Sequence, residues 1–529
     1  MEYCKKKNIV PTIAVILDGW GIAPPAPDNA ITLAKKPNID WLYANGNTTE
    51  LLASGEAVGL TDDLTGNSEV GHMNLGAGRV VVQDLVYINE SIRDGSFFKN
   101  KVLLDAMQHV KRNGSKLHLL GMISRGGVHS WLPHLFALLE MAKQQGVRHV
   151  EIHAITDGRD AAPQYALEAI AEIRDHIAKL GVGNIATLFG RYYAMDRIYQ
   201  WERSAKVYRT MVFGHHATDD TAEDVLQNAY DEGRTDEFIT PTYLTPPDKH
   251  RATVEDNDAM VFWHLRSDRA RQLAKAFVQK DFTGFNRGRV PKNFKFVAFT
   301  DFGSDLKVET AFLTYPLKNT LPAVLAKIPH LTQAYLAESE KFPHVSYFFH
   351  GSSNVRLPNE DIMRIPSPVV MSYESTPEMS AARITEIVLD DLLHANELRH
   401  DFYLVNYSNA DSLGHTGNLA ATIRAVEFLD EQIGRLIQAI KRVGGNLIIT
   451  ADHGNAEDMV DEKTGQRDTA HSISAVPLLL YSTDPYFSRD AISLAKRGVL
   501  ADFAPTVLEL LAISKPSEMT GQSLIQRKK

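Results

Sequence analysis

Five side chains that could bind a metal ion lie in the last quarter of the chain: Asp411, His415, Asp452, His453 and His471. The first two follow the short apolar run 402–405, and the next two follow the run 447–450. Both runs predict buried parallel strands, and ligands bind beyond the carboxyl ends of such strands. One Asp-x-x-x-His alone would indicate loop residues or helix caps. Two clusters with a third histidine favour a site for a divalent ion such as Mn²⁺, Zn²⁺ or Mg²⁺.

Ser68 is a candidate nucleophile, in the string Gly66-Asn-Ser-Glu-Val-Gly-His72. Its plain alternative is a helix N-cap, because serine before Glu-Val is a common helix start. A serine hydroxyl is a weak nucleophile at neutral pH unless a base or a metal lowers its pKa. Two metal ions roughly 3.5–4 Å apart stabilise both the attacking and the leaving oxygen of an in-line displacement. Ser68 therefore fits a metal-activated nucleophile better than a Ser–His–Asp triad.

A third group consists of arginines that follow predicted strands in the middle of the chain: Arg159, Arg191, Arg197, Arg266 and Arg269. For any one of them a surface salt bridge is the plain alternative. Arg266 and Arg269 are predicted on one face of a helix, three residues apart. Converging guanidinium groups bind phosphate and carboxylate bidentately. His129 and Asp160 are then candidates for proton transfer, although a lone histidine is more often structural.

The elements that would position these residues alternate along the chain. Besides the two runs above, apolar runs of strand length occur at 13–17, 117–120, 150–155, 185–189 and 259–263. The first of them ends at Asp18. Helical patterns separate several runs, including 165–180 and an amphipathic segment, 423–440, that ends at Gly444-Gly445. Together, 402–450 predicts a βαβ unit, and the chain predicts an α/β protein.

The pattern of motifs and apolar runs changes near residue 82 and changes back near residue 316. This predicts one domain that is formed from two separate segments of the chain. Residues 1–82 and 317–529 are expected to form one domain with a central, mostly parallel sheet, joining Asp18 and Ser68 to the C-terminal clusters. Residues 83–316 are expected to form an inserted second α/β domain. The segment 315–322, rich in proline, is predicted to be a linker.

Composition restricts the possible partners. The chain has 529 residues, 44% hydrophobic and 23% charged, with a formal net charge of −9. This is typical of a globular protein with two to four domains. The net charge argues against nucleic-acid and acidic-membrane partners, so positive charge for an anionic substrate must be local. The single cysteine, Cys4, excludes an intrachain disulfide and any cysteine-based zinc site, which fits a reducing cytosol.

The N-terminus superficially resembles a secretory signal. The basic segment 1–7 precedes the apolar run 9–17, but that run contains Pro11 and Thr12 and lacks a small-residue cleavage site. No apolar stretch approaches the roughly 20 residues of a membrane span. We therefore predict a cytoplasmic protein with no membrane partner. No coiled coil or apolar stripe requires a second subunit, so a monomer is expected.

Eight strings occur in one order: Leu-Asp18-Gly-Trp-Gly, Gly-Asn-Ser68-Glu-Val-Gly-His, Thr-Asp-Gly-Arg159-Asp160, Arg266-x-Asp-Arg269-Ala-Arg, Ala-Glu-Ser-Glu-Lys341, Asp411-x-x-Gly-His415, Thr-Ala-Asp452-His453-Gly-Asn and Ala-His471. Together they resemble the cofactor-independent (2,3-bisphosphoglycerate-independent) phosphoglycerate mutases, a family of the alkaline phosphatase superfamily. The resemblance spans nearly the whole chain. The C-terminal clusters alone would indicate only the superfamily, whereas the serine loop and the arginines select the mutase.

The resemblance implies a role for each position. One metal, usually Mn²⁺ (with Mg²⁺, Co²⁺ or Zn²⁺ as alternatives), would be held by Asp411, His415 and His471, and a second by Asp18, Ser68, Asp452 and His453. Ser68 would be transiently phosphorylated, and Lys341 would help to neutralise the phosphoryl group. The glycerate part would be bound in the inserted domain by His129, Arg159, Asp160, Arg191, Arg197, Arg266 and Arg269.

Two motifs depart from the form usual in this family. Before the serine loop the family reads Pro-x-Gly-Gln-Met-Gly-Asn-Ser, whereas this chain has Thr61-Asp-Asp-Leu-Thr-Gly-Asn-Ser68. Before Arg-x-Asp-Arg the family has Phe-Asn-Phe, whereas this chain has Trp263-His264-Leu265. No charged group of either motif is lost.

The implied reaction interconverts 3-phosphoglycerate and 2-phosphoglycerate in a closing cleft between the domains. Ser68 would take the phosphoryl group, and Asp160 would exchange protons between the 2- and 3-hydroxyls. The nearest alternative is a phosphomonoesterase or phosphopentomutase on the same metal core, although a bare hydrolase would not need the arginine-rich insert. A sulfatase is disfavoured because no Cys-x-Pro-x-Arg element exists. A catalytically inactive scaffold would be indicated by a lost ligand, and none is missing.

Overall fold

The structure is a computed structural model that describes residues 10–62, 64–248, 250–303, 305–313, 317–394, 400–460 and 465–528. Outside this range lie the basic N-terminal segment 1–7, which includes Cys4, and residues 315 and 316, which begin the predicted linker and include the predicted domain boundary. Asp63 also lies outside it. The chain divides into two compact units, Met1–Gln83 with Pro316–Lys529 and Asp84–Tyr315. Among the described helices, none has the length and apolar character needed to cross a membrane.

Strands and helices are numbered along the chain. The first unit contains an eight-stranded sheet, in the order β12 (Glu360–Ile365), β11 (Gln333–Glu338), β13 (Phe402–Tyr407), β1 (Thr12–Leu17), β14 (Asn446–Thr450), β15 (Val476–Ser482), β2 (Asn47–Leu52) and β17 (Arg497–Val499). A separate antiparallel pair consists of β16 (Ile492–Leu494) and β18 (Ile525–Arg527).

The central strands of this sheet are parallel and fully buried. β1 pairs with β13 on one side and with β14 on the other, so Leu17 lies opposite Tyr407 and Ile16 opposite Thr450. The predicted βαβ unit therefore spans two sheet positions, because β1 lies between its two strands. All six residues of β1 and of β13 are buried, as expected of a strand covered on both faces.

β15 runs antiparallel to both of its neighbours, β14 and β2. Its first residue consequently lies near the edge of the sheet where β14 ends, since Leu478 pairs with Thr450. The segment that enters β15 is thereby brought to the same edge as the segments that leave β1, β13 and β14. This edge collects four chain segments.

The helices of the first unit cover the sheet: α1 (Ala30–Leu33), α2 (Pro37–Asn45), α3 (Ser68–Ala77), α12 (Leu321–Leu325), α13 (Ala381–His394), α14 (Asn409–Gly414), α15 (Leu419–Val443) and α16 (Phe503–Leu510), with a π-helical turn at His344–Phe348. The apolar stripe predicted for 423–440 is buried in α15, apart from the half-buried Ile423. Gly444 ends α15 with φ +79°, a backbone conformation that favours glycine. The last two residues of the predicted linker 315–322 are helical, because α12 begins at Leu321.

The second unit has its own eight-stranded sheet, in the order β10 (Glu309–Thr310), β9 (Lys295–Ala298), β8 (Ala259–Phe262), β3 (Leu117–Met122), β4 (Val150–Thr156), β5 (Asn184–Gly190), β7 (Thr242–Leu244) and β6 (Ala217–Thr218). Among the strand pairs described in this sheet, only β7 against β5 is antiparallel. Its helices are α4 (Asp84–Arg93), α5 (Lys101–Asn113), α6 (Leu132–Gln144), α7 (Ala166–Leu180), α8 (Arg191–Ala194), α9 (Trp201–Phe213), α10 (Ala222–Asp231) and α11 (Ser267–Val278).

These two mixed α/β sheets confirm the predicted fold class. Each strand predicted from an apolar run is present with bounds shifted by one or two residues, and Trp263 lies just past the end of β8. One local prediction was wrong: Arg266 and Arg269 do not share a helical face, because Arg266 has extended backbone angles and is the N-cap of α11.

Candidate metal centre and arginine cluster

The residues predicted as metal ligands converge on the edge of the first sheet where β1, β13 and β14 end. Asp18 follows β1, Asp411 lies in α14 just after β13, and Asp452 and His453 follow β14. His471 precedes the antiparallel strand β15. The parallel strands deliver their ligands at their carboxyl ends, and β15 delivers its ligand at its amino end.

Two groups of potential ligands lie side by side, one formed by Asp411, His415 and His471 and the other by Asp18, Asp411 and His453; the ligand atoms of each lie within 4.8 Å of one another. In the first group, Asp411 Oδ1 lies 3.3 Å from Nε2 of both His415 and His471. In the second, Asp18 Oδ1 lies 3.4 Å from His453 Nε2. Mixed imidazole and carboxylate ligands suit borderline divalent ions.

Three ring nitrogens are oriented by contacts behind the ligand atoms. His415 Nδ1 lies 2.7 Å from the Thr469 carbonyl oxygen, and His471 Nδ1 lies 2.9 Å from that of Gly66. His453 Nδ1 lies 3.3 Å from the carbonyl oxygen of Gly454. A carbonyl only accepts, so each Nδ1 carries a proton and Nε2 is the ring nitrogen that faces the cluster. The three rings are therefore oriented with Nε2 available to a metal ion, which would displace any second proton from the ring.

Ser68 is the first residue of α3, and its side chain is free of any capping role. Asn67 is the N-cap, and its side-chain oxygen accepts from Val70 N at 3.0 Å. The helix-capping role considered for Ser68 is therefore filled by the preceding residue, Asn67. Ser68 Oγ instead donates to Asp18 Oδ1 at 3.1 Å and lies 3.0 Å from His453 Nε2.

Lys341, just after β11, brings a positive charge into the centre of this cluster. Its ammonium donates to Asp18 Oδ1 (2.6 Å), Ser68 Oγ (2.5 Å) and Asp411 Oδ2 (2.7 Å). Burial opposes the charge on Lys341, but the carboxylates of Asp18, Asp411 and Asp452 overcome it and raise the pKa of Lys341 above its usual value. Lys341 therefore stays charged.

The carboxylates remain ionised despite complete burial. Burial would raise the pKa of Asp18 and of Asp411, but the neighbouring Lys341 ammonium and His453 hold both pKa values well below their usual range. Burial would also lower the pKa of His453, yet Asp452, Asp18 and Asp411 raise it to about 9. Three buried carboxyl groups still outnumber the Lys341 ammonium and the His453 imidazolium, so the cluster attracts further positive charge.

Asp452 supplies a direct test of whether these residues fit a cation. Its Oδ1 accepts from Gly19 N and from His453 N at 3.3 and 3.1 Å. Its Oδ2 is buried and accepts no well-aligned hydrogen bond from the part of the chain that the structure describes, although His72 Nδ1 lies 3.0 Å away. A buried carboxylate oxygen without a hydrogen bond is costly unless a cation binds there. The ligand set therefore fits a divalent metal.

In the second unit, Arg191 joins Asp157 and Asp160 through two close ion pairs. Arg191 donates to Asp157 Oδ1 at 2.6 Å and to Asp160 Oδ2 at 2.7 Å. His129 Nε2 lies 3.8 Å from the same Asp160 oxygen, and its ring stacks on His264 with centroids 5.3 Å apart. Burial lowers the pKa of His129 well below its usual value, and His264 and Arg191 lower it further. His129 is consequently neutral.

The other four arginines lie near this pair and are more exposed. Arg197 donates to Asp268 Oδ2 at 3.0 Å, and Arg266 Nε lies 3.8 Å from the other oxygen of Asp268. Burial lowers the pKa of Arg269, as do the charges of Arg197, Arg191 and Arg159. The guanidinium groups therefore act on one another, and such a concentration of positive charge favours binding of an anion.

Sequence reasoning missed several residues that hold these groups in place. In the first unit, Asn406 donates to Asp18 Oδ2 at 2.8 Å and Asn455 donates to Asp411 Oδ1 at 3.2 Å. In the second, Asp157 accepts from Arg191 and from the backbone N–H groups of Arg159 and Asp160. Asn455 and Asp157 could have been found from the sequence, because both lie within the eight motifs quoted above. Asn406 lies inside a strand, and no motif marks it.

The parallel sheet, with its metal-ligand edge and buried serine, defines a divalent-metal enzyme of the alkaline phosphatase superfamily. The family described as BPG-independent PGAM N-terminus matches residues 88–304, and Type I phosphodiesterase / nucleotide pyrophosphatase matches residues 288–482. The 2,3-bisphosphoglycerate-independent phosphoglycerate mutase 1 of Methanosarcina acetivorans is 45% identical over 97% of this chain and 98% of its own. The chain belongs to the 2,3-bisphosphoglycerate-independent phosphoglycerate mutase family.

Two further relatives support this assignment. The 2,3-bisphosphoglycerate-independent phosphoglycerate mutase of Clostridioides difficile is 45% identical, with 98% of this chain and 99% of its own covered. A crystal structure of Leishmania mexicana phosphoglycerate mutase, determined at low cobalt concentration, is 29% identical, with a TM-score of 0.77 and 99% of each chain covered.

Proposed function

We propose that this protein interconverts 3-phosphoglycerate and 2-phosphoglycerate through a phosphoserine at Ser68, without 2,3-bisphosphoglycerate. The observation that carries the proposal is the environment of Ser68 Oγ, which contacts Asp18, His453 and Lys341 while Asn67 caps the helix in its place. A serine in such surroundings is held for attack and not for helix capping. The names of the relatives, about 45% identical over nearly the whole chain, support the same reaction.

We assign two divalent ions, most simply Mn²⁺, to the cluster. Asp411, His415 and His471 would hold one, and Asp18, Ser68, Asp452 and His453 the other. Bound there, the ions would lower the pKa of the serine hydroxyl and neutralise charge on the phosphoryl oxygens. Preference for Mn²⁺ over Mg²⁺ is supported by the imidazole ligands, since Mg²⁺ favours oxygen.

The phosphoryl group would move twice. In the first step Ser68 Oγ loses its proton and bonds to phosphorus, while the bond from phosphorus to the glycerate oxygen breaks and that oxygen takes up a proton. In the second step the other glycerate hydroxyl loses its proton and bonds to phosphorus, while the bond from phosphorus to Ser68 Oγ breaks and Ser68 Oγ regains a proton. Lys341 supports both steps, because its ammonium lies 2.5 Å from Ser68 Oγ and stabilises the charge that develops.

We propose that the second unit binds the acid and the hydroxyl groups of glycerate. Arg159, Arg191, Arg197, Arg266 and Arg269 provide the positive charge that a chain of net charge −9 otherwise lacks. Asp160, which accepts from Arg191, would pass a proton between the two hydroxyls, with neutral His129 beside it. In this proposal the two units are a metal-binding domain and an inserted substrate-binding domain.

The acidic composition also supports a small-molecule substrate over nucleic acid or an acidic membrane. As an enzyme of central carbon metabolism, it is proposed to act in the cytoplasm as a monomer. The first unit alone would equally suit a phosphomonoesterase. The arginine cluster favours the mutase, because a hydrolase has no need to retain the dephosphorylated acid.

The test replaces the nucleophile. We expect Ser68→Ala to lower conversion of 3- to 2-phosphoglycerate roughly 10⁴-fold or more, since losing a nucleophile abolishes the covalent route. The control is Ser91→Ala, because the hydroxyl of that buried serine only donates to the Ile88 carbonyl within a helix. Assays contain Mn²⁺ and no bisphosphoglycerate. Activity of Ser68→Ala near that of the control would overturn the phosphoserine route, and wild-type release of free phosphate in place of 2-phosphoglycerate would indicate a phosphatase.

A further inference from the structure

His72 lies one turn after Ser68 in α3 and is fully buried beside the second group of ligands. With Asp18 and Asp452 it forms a third set whose ligand atoms lie within 4.8 Å of one another. Two roles are therefore open: His72 could bind a metal ion itself, or it could position residues that do. The tautomer of its ring decides between them, because a metal ligand must offer a nitrogen lone pair to the ion.

The first constraint on the tautomer comes from α3 itself. His72 Nδ1 lies 2.9 Å from the backbone carbonyl oxygen of Ser68. A carbonyl oxygen only accepts, so Nδ1 must carry a proton and donate. The same nitrogen lies 3.0 Å from Asp452 Oδ2, which places the positive edge of the ring beside that carboxylate. Nδ1 therefore has no lone pair available for a metal ion.

The second constraint comes independently from β13. Asn406 Nδ2 lies 2.8 Å from Asp18 Oδ2 and 3.0 Å from His72 Nε2. The ionised carboxylate of Asp18 accepts only, so the amide nitrogen, and not its oxygen, must face it. The same amide nitrogen then donates to His72 Nε2, which is the acceptor. Both ring nitrogens are occupied, in the one tautomer that both constraints allow.

We propose that His72 is a positioning residue for the serine and the second metal site, and not a ligand. Through Asn406 it fixes the Asp18 carboxylate so that Oδ1 faces Ser68, His453 and Lys341. Through Nδ1 it holds the backbone of Ser68 and borders Asp452 Oδ2. The serine and both aspartates thus depend on one ring. This inference rests on the proposed function, because it takes these residues as nucleophile and ligands.

The experiment measures Mn²⁺ binding to the metal-free protein by calorimetry, which needs no turnover. The variants are His72→Phe, which keeps a ring without nitrogens, Asn406→Leu, and the double variant. The control is His350→Phe, because buried His350 contacts Glu360 at 2.8 Å and none of the proposed ligands. Loss of a residue behind a ligand typically weakens metal binding 10–100-fold. We expect two ions per chain throughout, with one bound 10–100-fold more weakly in all three variants and unchanged in the control.

The double variant tests whether the two residues act as one chain of hydrogen bonds. If they do, its loss of affinity should be close to that of either single variant and well short of their product. Should His72→Phe fail to fold, His72→Asn and Asn406→Leu carry the same test. The amide of His72→Asn still donates towards the Ser68 carbonyl but no longer accepts from Asn406.

Two results would overturn the proposal. Three ions in the wild type and two in the His72 variants would make His72 a ligand. Unchanged Mn²⁺ affinity, with only a lower melting temperature as in the control, would make its role structural. Failure of the proposed function has a different signature, because it appears as turnover by Ser68→Ala and does not alter the Mn²⁺ affinities.

Discussion

At the scale of single residues, the candidate metal centre is dominated by unbalanced buried charge. Lys341 neutralises part of the charge on Asp18 and Asp411, and its distances of 2.6 and 2.7 Å to them are those of close ion pairs. In the metal-free protein it is the only ammonium among the described contacts of these two carboxylates. Stability and metal binding should therefore both depend on this side chain.

The residue-scale prediction is that Lys341→Met destabilises the metal-free protein by about 3–5 kcal/mol, because removing one partner leaves buried charges unpaired. Lys295→Met is the matched control: Lys295 contacts Asp105 and, at 2.8 Å, Glu309, and both carboxylates are about half exposed, where such pairs contribute about 0–1 kcal/mol. Unfolding is measured in urea with chelator and then with Mn²⁺. The deficit of Lys341→Met should shrink with Mn²⁺, and equal losses in the two variants would contradict this account.

At the scale of elements, helix capping and nucleophilic chemistry are assigned to two different residues at the start of α3, whereas both roles were open for Ser68 from the sequence. Asn67 caps the helix and Ser68 is free for chemistry. Asn418 makes the same capping contact at the start of α15, accepting from Ala421 N at 3.1 Å. The two caps are alike in chemistry, but only the cap of α3 is followed by a candidate nucleophile.

The element-scale prediction compares these two caps. Asn67→Ala and Asn418→Ala should each cost about 1 kcal/mol of stability, measured as a shift in the unfolding midpoint. Only Asn67→Ala should also lower kcat, about 10-fold or more, because a frayed first turn displaces Ser68 Oγ. A similar fall in kcat for both variants would show that the effect is general destabilisation.

Much of the fold was predictable from the sequence because short apolar runs of four to six residues report burial directly. The strands β1, β13 and β14 were found in this way, together with the residues that follow them. β15 was not predicted although it is apolar, since Pro477 argues against a central strand. His471 comes before this antiparallel strand, so no strand-end signal pointed to it. His72 and Asn406 were missed because their roles depend on contacts between β13 and α3, which no spacing within either element reveals.

At the scale of the whole molecule, the two units carry different buried charges that respond to pH in opposite ways. Asp236, in the second unit, accepts from Ala166 N at 2.8 Å and from the Tyr230 hydroxyl. Burial nevertheless raises the pKa of Asp236 to about 6, and neighbouring Asp157 adds to the effect. In the first unit, Asp18 and Asp411 have lowered pKa values for the reasons given above.

The whole-molecule prediction concerns Asp236→Asn. In the unfolded chain an aspartate has a pKa of about 3.9, so between pH 4 and 6 the unfolded state releases this proton while the folded state keeps it. Asp236 therefore lowers stability as pH rises through this window, by up to about 3 kcal/mol at about 1.4 kcal/mol per pKa unit. Asp236→Asn should remove this slope. The free energy of unfolding of the variant, compared with that of the wild type, should therefore be higher at pH 7 than at pH 4.

The contrasting variant is Asp258→Asn in the same unit. Burial would raise the pKa of Asp258, but His118 and Lys116 lower it, so its contribution is present at neutral pH and lost as pH falls. Asp258→Asn should therefore lose more stability at pH 7 than at pH 4. Both slopes are measured by urea unfolding across pH 4–7. Parallel profiles for the wild type and Asp236→Asn would contradict the assignment.

The position of β1 in the centre of its sheet affects how the chain folds during synthesis. Both of its neighbours, β13 and β14, begin at Phe402 or later, about 390 residues after β1 leaves the ribosome. At roughly 5–20 residues per second, β1 waits about 20–80 s for a partner strand. The continuous segment 84–315 is translated during that wait and contains every strand of its own sheet. A nascent chain of this protein therefore carries one completed sheet behind an unpaired apolar strand, and β1 is a segment that a chaperone would need to protect.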